Sequence, residues 1–521
     1  MQEGAKVRWH AWEPAVFERA RAEGKLVFLD ISAAWCHWCH VLDRTSLADP
    51  RVVALLNASY LPVRVDTDRR PDINERYNQG GWPTTAVLLP DGRTLTGSTY
   101  LPPDALLDVL TRCVEFYRED RDRIERTIQE SPSRPPGRAS EEIERPPEGP
   151  RPEDLSLVGH AVLAHYDPIF PGFFREPKFL VTEILSFLRD AWVRDGNREM
   201  GETLLKVLRT MGGSDVRDAV GGGFFRYATR RDWTVPHYEK LLCDNAELLA
   251  LYASAYEKSG DPLFSRIAGD ILGFLLGTLH DPGTGAFFSS QDADEEYYRL
   301  AADERALRPA PAIDRTVISE YNAAAVSALI AAHRVLGAGQ SGGGEAGTLL
   351  DRAVQLGRFL RAALWDPGEG QIRFKEGGAV ESGHLADNVT VATAHLDLWD
   401  ATGGKAYLDF AGEALDWTVR HFFSAKLLGF LDRRPRDGDP PNLGIPVVPF
   451  SMNARAACAL IRYGREAVRT DLFAVAEQVL KGLSAEFDKR AAFGAPYGSA
   501  LLLYGNGARG IACRPGDPGC R

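Results

Sequence analysis

The stretch KLVFLDISAAWCHWCH at 25–40 determines how the first part of this 521-residue chain folds. Its opening eight residues, Lys25–Ser32, form a short apolar run that suits a buried β-strand. The WCHWC segment at 35–39 follows at once and opens a helix. A spacing of three along the first helical turn brings two thiols close enough to exchange a disulfide. The stretch therefore predicts a redox dithiol between a strand and a helix.

Thiol–disulfide exchange needs a thiolate that attacks and a second thiol that resolves the mixed disulfide. The helix N-terminus places unpaired N–H groups beside the first sulfur. Such a site lowers a cysteine pKa from about 8.5 toward 7 or below. We therefore expect Cys36 to be the attacking thiolate and Cys39 the resolving thiol. His37 between them is expected to lower the thiolate pKa further.

Two other chemistries share this motif. CHWCH at 36–40 also matches the attachment pattern of c-type haem, but haem attachment usually requires export, and the N-terminal sequence MQEGAKVRWH lacks the apolar segment of a signal peptide. A zinc site would need ligands beyond the two sulfurs, and His40 alone cannot complete a tetrahedral set. We therefore expect no metal and no other cofactor.

The elements around the dithiol alternate between helix and strand. Helices are predicted at Pro14–Glu23, Cys36–Thr45, Asp49–Ala58 and Asp104–Tyr117, and further strands at Tyr60–Asp66, Thr85–Leu89 and Arg93–Gly97. The PDG turn at 90–92 joins the last two strands as a hairpin. This order predicts an α/β sandwich of thioredoxin type.

Pro83 stands immediately before one of these strands, in the segment Trp82-Pro83-Thr84. An X–Pro bond is where a cis peptide occurs at low energetic cost. In thioredoxin folds such a proline faces the dithiol and presents its backbone to an incoming peptide. The alternative is an ordinary turn proline.

Composition limits the remaining possibilities. The formal charge of −11 argues against a general nucleic-acid surface. No run approaches the ~20 apolar residues of a membrane span. Seven cysteines are too few for a disulfide scaffold in a chain this long. We expect a protein of the reducing cytoplasm that contacts neither membrane nor nucleic acid.

A linker divides the chain. Residues 131–153 hold seven prolines among alternating charges, which prevents a packed element there. Residues 1–130 form the thioredoxin-like domain in this interpretation. Residues 154–521 contain about twelve amphipathic helices separated by a recurring Gly/aromatic turn, as in GGGFF at 221–225. Six helix pairs predict a closed (α/α)6 toroid of the six-hairpin type, and an open solenoid fits the repeat nearly as well.

Longer motifs carry a family resemblance. CHWCHVLDRTSLADPRVVALLN, VRVDTDRRPDINERY and GGWPTTAVLLPDG in the first part, and GGGFFRYATRRDWTVPHYEKLLCDNAELLALYASAY in the second, resemble the spermatogenesis-associated protein 20 family. The resemblance implies a thioredoxin-like domain fused to a toroid similar to N-acylglucosamine 2-epimerases and six-hairpin glycosidases. The chain departs from the family pattern at Tyr321, where the family has tryptophan. It also departs at LADNV, 385–389, where the family has Leu-Glu-Asp-Tyr-Ala.

The segment WTVPHYEK at 233–240 is the richest cluster in the toroid. Pro236 fits the first turn of a helix. His237 and Asp244, seven apart, would then share one helical face near the toroid mouth. A set of histidine and carboxylates suits proton transfer at a sugar carbon or a glycosidic oxygen. The alternative is that these residues cap helices and bond neighbouring helices together. The candidate cleft residues are Arg226, His237, Glu239, Asp244, Asn245, Asp292, Asp294 and Asp387.

The C-terminal tail adds a second cysteine pair. Cys513 and Cys520 are separated by proline, glycine and charged residues that favour a turn. We expect them to form a redox pair, although two independent thiols or a simple covalent clip remain alternatives. Cys113, Cys243 and Cys458 lie in apolar helical surroundings and are expected to be inert.

The leading functional prediction is a cytoplasmic thiol–disulfide oxidoreductase that uses Cys36 and Cys39 and exchanges with a thiol or disulfide partner protein. Its toroid would carry a cleft for a carbohydrate-like or peptide-like ligand. One alternative is a sugar epimerase, isomerase or glycoside-processing enzyme that acts in the toroid. The other alternative is a non-catalytic binding or chaperone-like scaffold.

Overall fold

Two units make up the chain in the computed structural model, which describes residues 6–119, 121, 123–124, 126, 138–139, 149–337, 348–376, 379–436 and 438–511. The first unit comprises residues 1–141 together with 432–447, and the second comprises 142–431 and 448–521. Most of the predicted linker lies outside the described residues. The assignment of 432–447 to the first unit was not anticipated from the sequence.

A four-stranded sheet organises the first unit, in the order β2-β1-β3-β4. β1 runs parallel to β2 and antiparallel to β3, and β4 forms a hairpin with β3. The strands are β1 Leu26–Ser32, β2 Tyr60–Asp66, β3 Thr84–Leu88 and β4 Thr94–Ser98. The helices are α1 Pro14–Glu23, α2 His37–Arg44, α3 Pro50–Ser59, α4 Pro71–Tyr77 and α5 Pro103–Glu119. The predicted thioredoxin-like sandwich is confirmed. α4, seven residues long, was not predicted, nor were the short helices Ser46–Ala48 and Pro441–Gly444.

Both faces of β1 are covered, which explains its nearly continuous apolar run. Phe28 packs with Val52 of α3 and Leu110 of α5 on one face. Leu29 packs with Phe17 of α1 on the other face. The dithiol segment therefore follows a strand that is fixed from both sides.

Residues 432–447, named here the return segment, complete the second of these faces. Leu443 is buried there beside Ile73 and Tyr77 of α4. The first unit is thus built from chain that lies far apart in sequence.

Twelve helices of eleven or more residues form the described part of the second unit. The inner six are Thr182–Asp195, Leu242–Ser259, Ser319–Leu336, Leu385–Thr402, Phe450–Glu466 and Ala495–Ile511. The outer six are Asp154–Ala164, Arg198–Gly212, Pro262–Phe274, Leu349–Leu364, Lys405–Phe422 and Thr470–Ser484. Each inner helix packs against the next, and the last packs against the first. The ring is closed, so the predicted (α/α)6 toroid is confirmed and the open solenoid is excluded.

An asparagine holds each of four Gly/aromatic turns. These residues, named here the asparagine clamps, are Asn245, Asn322, Asn388 and Asn453, each the fourth residue of an inner helix. The side-chain oxygen of Asn322 accepts from the Phe287 N–H at 2.8 Å. Its amide group donates to the Phe287 carbonyl at 3.0 Å and to the Ile318 carbonyl at 2.9 Å. The clamp therefore fixes the turn to the helix that follows it.

The glycine of the turn makes room for the clamp. Gly223 has a φ of 74°, and a Cβ placed on it would lie 2.9 Å from the Asn245 side-chain oxygen. Gly370 has a φ of 75°, and its Cβ would lie 2.8 Å from the Asn388 oxygen. Only glycine combines this backbone conformation with so close an approach. The repeat thus requires both partners, a glycine and an asparagine.

One described helical stretch, Pro262–Leu279, is long and apolar enough to cross a membrane by length and composition alone. Its apolar side chains Phe264, Ile267 and Ile271 are buried in the toroid core. Packing in the outer ring accounts for its composition.

Replacing a clamp is expected to destabilise the toroid. Asn322→Ala removes three buried hydrogen bonds and leaves the Phe287 N–H and carbonyl without partners, which should lower the free energy of unfolding by about 3 kcal/mol. Asn197→Ala is the matched control, because Asn197 makes one N-cap bond to the Met200 N–H and should cost about 1 kcal/mol. Urea unfolding followed by circular dichroism measures both. Equal losses would contradict the assigned role.

Candidate functional site

The dithiol lies at the start of α2. Cys36 is the N-cap of this helix, and its sulfur accepts a hydrogen bond from the Cys39 N–H at 3.1 Å. Cys36 and Cys39 are joined as a disulfide, with their Cα atoms 5.2 Å apart. Both residues are buried, with 4 % and 2 % of their surface exposed. The predicted placement of the sulfur against helix N–H groups is therefore present.

Aromatic side chains surround this pair. The Trp35 indole donates to the Asp68 carboxylate at 2.8 Å, and its ring meets that of Trp82 edge-on at 5.8 Å. The Trp82–Pro83 peptide bond is cis, as the sequence predicted. On the outer side Trp38 is 44 % exposed and packs against Tyr100 at 5.2 Å. An exposed aromatic surface thus lies within the dithiol motif itself.

The two histidines of the motif differ in their contacts. His37 is the first residue of α2, is partly exposed, and has its ring 6.1 Å from that of Trp38. The His40 ring nitrogen Nε2 donates to the Ala34 carbonyl at 3.1 Å. His40 therefore ties the helix to the loop that precedes it. Within the described residues, no three His, Cys, Asp or Glu side chains are grouped to hold a metal ion.

Asp30 is a buried carboxyl that the sequence reasoning missed. It shares the sheet face of Phe28, and Leu42 of α2 packs on this face. Burial raises its pKa to about 6, although Arg64, which donates to it at 2.7 Å, acts in the opposite direction. Its other carboxylate oxygen has no hydrogen-bond partner among the described residues. A lone charge in an apolar strand, six positions before Cys36, was the available signal.

The predicted helix at Pro236 is wrong. Pro236–His237 and Lys240–Leu241 are short strands, and the helix begins at Leu242. Trp233 and Val235 have positive φ values of 66° and 56°, a conformation that no right-handed helix contains. His237 and Asp244 therefore do not share a helical face.

The structure does bring part of the predicted cleft together. The His237 Nδ1 atom lies 3.6 Å from the Glu239 Oε1 atom, and the imidazole stacks on Tyr227 with ring centres 4.4 Å apart. Arg226 donates its backbone N–H to the Glu239 carbonyl at 2.9 Å. Asp292 follows the strand Ser290–Gln291, which pairs with Lys240–Leu241. Arg226, His237 and Glu239 therefore contact one another around Glu239, and Asp292 directly follows a strand that pairs with the one after Glu239.

Glu239 is the most enclosed member of this group. Only 3 % of the residue is exposed, and its Oε2 atom has no hydrogen-bond partner among the described residues. Burial opposes its ionisation, but the neighbouring His237 imidazole and the charge of Arg226 lower its pKa. A buried carboxylate thus orients a partly exposed imidazole, an arrangement suited to a general base.

Three other predicted cleft residues lie at the start of a helix. Asn245 is a clamp, bonded to the N–H and carbonyl of Phe224. Asp294 caps the short helix Glu295–Tyr298 by accepting from the Tyr297 N–H. Asp244 is partly buried beside Cys243 at the start of its helix. For Asn245 and Asp294 the capping and inter-element alternative describes the observed bonds.

Asp387 belongs to a different group, whose members other than Arg373 lie within the first six residues of the inner helices. It pairs with Arg373 at 2.9 Å and accepts from the Glu320 N–H at 3.0 Å. Arg373 also reaches Glu320 at 3.3 Å. Arg455 pairs with Glu247 at 2.7 Å and with Glu183 at 3.4 Å. We name these residues the axial group: Glu183, Glu247, Glu320, Arg373, Asp387 and Arg455.

The axial group contains two glutamates with opposite pKa shifts. Burial, reinforced by Asp387, raises the pKa of Glu320 despite Arg373. Burial also opposes the ionisation of Glu247, but Arg455 and the Thr182 hydroxyl lower its pKa. Only Asp387 of the group was predicted. The missed signal was an acidic residue within the first six positions of an inner helix.

The remaining cysteines differ from the dithiol. Burial raises the pKa of Cys458 to about 12 and also raises that of Cys113. Thiols of this kind stay protonated at neutral pH and react slowly. Cys513 and Cys520 lie outside the described residues, so their pairing stays a prediction.

Known proteins resemble this chain in sequence and in fold. Residues 2–133 match the family model described as Thioredox_DsbH, protein of unknown function, DUF255. Human spermatogenesis-associated protein 20 is 32 % identical over 328 residues, which cover 58 % of this chain and 40 % of that protein. The chain is similar in sequence to spermatogenesis-associated protein 20. It therefore spans about two-fifths of the length of the curated relatives it matches.

Two further similarities concern part of the chain each. Thiol:disulfide interchange protein DsbD 1 of Pseudomonas aeruginosa is 40 % identical over 82 residues, 15 % of this chain and 14 % of that one. The structure of cellobiose 2-epimerase from Spirochaeta thermophila superposes with a TM-score of 0.53 over 70 % of this chain and 99 % of that one, at 15 % identity. The second similarity shows the fold of the toroid and nothing finer.

Asp30 should make stability depend on pH. Its pKa of about 6 lies above the 3.8 of an unfolded chain, so the folded state binds the extra proton between these values and stability falls as pH rises from about 4 to 6. Asp30→Asn removes this loss. We expect it to match the wild type at pH 4 and to exceed it by about 2–3 kcal/mol at pH 7.5.

Urea unfolding of the full chain across pH 4–8 measures this difference. Asp43→Asn is the control, because Asp43 contacts the same Arg64 from a position that is 39 % exposed. A difference between Asp30→Asn and wild type that does not change with pH would contradict the assignment.

Proposed function

We propose that this protein is a thiol–disulfide oxidoreductase whose reactive pair is Cys36 and Cys39. One observation carries the proposal, namely the pair at disulfide distance on the N-terminus of α2. The sulfur of Cys36 accepts a backbone N–H there, and such a bond favours its thiolate form. The similarity of 82 residues of this chain to a protein named for thiol–disulfide interchange supports the same reaction.

The reaction would proceed in two exchanges. The Cys36 thiolate attacks one sulfur of a substrate disulfide, so a mixed disulfide forms and one substrate thiolate leaves. Cys39, after losing its proton, attacks the Cys36 sulfur and releases the second substrate thiolate. The substrate gains two electrons and the pair becomes the disulfide. A partner dithiol protein of lower potential returns the pair to thiols.

Asp30 is our candidate for the group that takes the Cys39 proton. Its carboxyl lies on the sheet face covered by α2, and its pKa of about 6 suits a base near neutral pH. His37 adds a second titratable group at the start of α2. The exposed ring of Trp38, with Tyr100 beside it, supplies an apolar surface for a polypeptide substrate.

Cysteine variants test the reaction. Cys36→Ser should abolish the reduction of insulin disulfides, because the attacking sulfur is lost. Cys39→Ser should accumulate mixed disulfides that mass spectrometry maps to Cys36. Cys458→Ser is the control, since burial keeps that thiol protonated, and it should retain wild-type activity. Unchanged activity in Cys36→Ser would leave a non-catalytic binding or scaffold role as the better proposal.

The same trapping experiment tests the tail. If Cys513 and Cys520 form a redox pair that exchanges with the dithiol, Cys39→Ser should contain Cys36 linked to one of them. A spectrum in which Cys36 is linked only to added thiols would reject this relay.

We further propose that the protein acts in the reducing cytoplasm, where alkylation of intact cells should recover Cys36 and Cys39 largely as thiols.

A second candidate function concerns the toroid. We propose that it binds a carbohydrate-like ligand and transfers a proton at a sugar carbon, as an epimerase or isomerase does, or at a glycosidic oxygen. The enclosed Glu239 beside the stacked His237 favours this candidate, because it is a base already oriented. Glu320 and Glu247, with opposite pKa shifts, would supply a second acid and base in the axial group.

Solvent exchange tests this candidate. An epimerase would exchange a sugar C–H proton with D2O across a panel of N-acyl and free hexoses, and NMR detects this directly. His237→Ala should abolish the exchange, and Glu239→Gln should slow it at least tenfold. His280→Ala is the control, a partly buried histidine at the next aromatic turn. Absence of exchange with every sugar would reject the epimerase candidate.

A further inference from the structure

The return segment holds α4 through two ion pairs that are almost completely buried. Arg76 donates to the Asp432 carboxylate at 2.6 and 3.1 Å and to the Ile445 carbonyl at 2.9 Å. Arg433 lies 3.1 Å from the Asp72 carboxylate. The side chains of Arg76, Arg433 and Asp72 are 2 %, 4 % and 1 % exposed. Both ends of a seven-residue helix are thus tied to residues more than 350 positions later.

The same helix holds the loop that leads to Pro83. The Asn74 side-chain oxygen accepts from the Trp82 indole at 3.1 Å and from the Asn78 amide at 2.9 Å. The Asn78 oxygen in turn accepts the backbone N–H groups of Gly80 and Gly81 at 2.7 and 2.9 Å. One asparagine on α4 therefore fixes both the start and the end of this loop.

The loop reaches the dithiol through Trp82. Its ring meets Trp35 at 5.8 Å, and Trp35 directly precedes Cys36. Trp82 also packs against the core cluster that contains Leu443 of the return segment. A continuous series of contacts thus connects Asp432 with the reactive sulfur.

We propose that Asp432 and Arg433 are positioning residues for the oxidoreductase reaction. They fix α4, and Asn74 of that helix fixes Trp82, whose ring contacts Trp35 next to Cys36 and which directly precedes Pro83. We infer that a protein substrate binds against this loop. The inference rests on the proposed thiol–disulfide function. Apolar side chains would attach a segment with similar stability, whereas ion pairs also set distance and direction.

The proposal separates two kinds of reactivity. The thiolate of Cys36 depends on the N-terminus of α2, whereas Asp432 and Arg433 pair with residues of α4. A small disulfide needs only that thiolate. A protein disulfide must also fit against the Trp82–Pro83 loop, and a displacement of about 1 Å in such a surface lowers rates by up to about 10²-fold.

Asp432→Asn in the full chain tests this separation. We expect kcat/KM for insulin disulfide reduction to fall at least tenfold, mainly through KM. The rate with the small reagent 5,5′-dithiobis(2-nitrobenzoate) should stay within about twofold of wild type. Asp432→Glu, which keeps the charge, should restore most of the insulin activity. Asn74→Ala breaks the link between α4 and the loop without touching the ion pairs, and should repeat the Asp432→Asn result if that variant does not fold.

Val52→Ala is the control for a general loss of stability, because Val52 is buried on the other sheet face. It should leave the ratio of the two rates unchanged. A wild type inactive toward both disulfides would reject the oxidoreductase function itself. An active wild type, with Asp432→Asn and Asn74→Ala equal to it or slowed equally toward both reagents, would overturn only the positioning role.

Discussion

A guanidinium group removed from water is stable only when a carboxylate and further hydrogen-bond acceptors surround it. Buried arginines in both units satisfy this requirement. Arg76 and Arg433 meet it in the first unit by pairing across a long sequence separation. Arg373 meets it in the toroid by pairing with the fully buried Asp387. Each pair holds an element next to a candidate site. These buried ion pairs therefore fix the positions of elements next to both candidate sites.

The two units present different kinds of reactivity. In the first, a sulfur is placed at a helix terminus, and the backbone supplies the polar environment. In the second, side chains from separate helices supply it, as with Arg455 and Glu247. The first arrangement lies within a few consecutive residues and can be predicted from a short motif. The second exists only after the ring has closed.

This difference explains how much the sequence could predict. The dithiol, the cis Trp82–Pro83 bond and the alternation of strands and helices follow from local patterns. The Gly/aromatic repeat predicted six helix pairs, and only the structure distinguished a closed toroid from an open solenoid. The helix placed at Pro236 was wrong because positive φ values at Trp233 and Val235 leave no mark in apolar periodicity. The axial group was missed because its members are far apart in sequence. Asp30 could have been found from its charge in an apolar strand.

The return segment also delays the completion of the first unit during protein synthesis. Arg76 leaves the ribosome long before Asp432, which follows 356 residues later. At about 5–20 residues per second, this interval lasts roughly 20–70 s. During that time the first unit lacks the partner of α4, and its sheet face stays open where Leu443 will lie. A nascent chain therefore holds its cysteine pair in an unfinished domain until most of the toroid has been made.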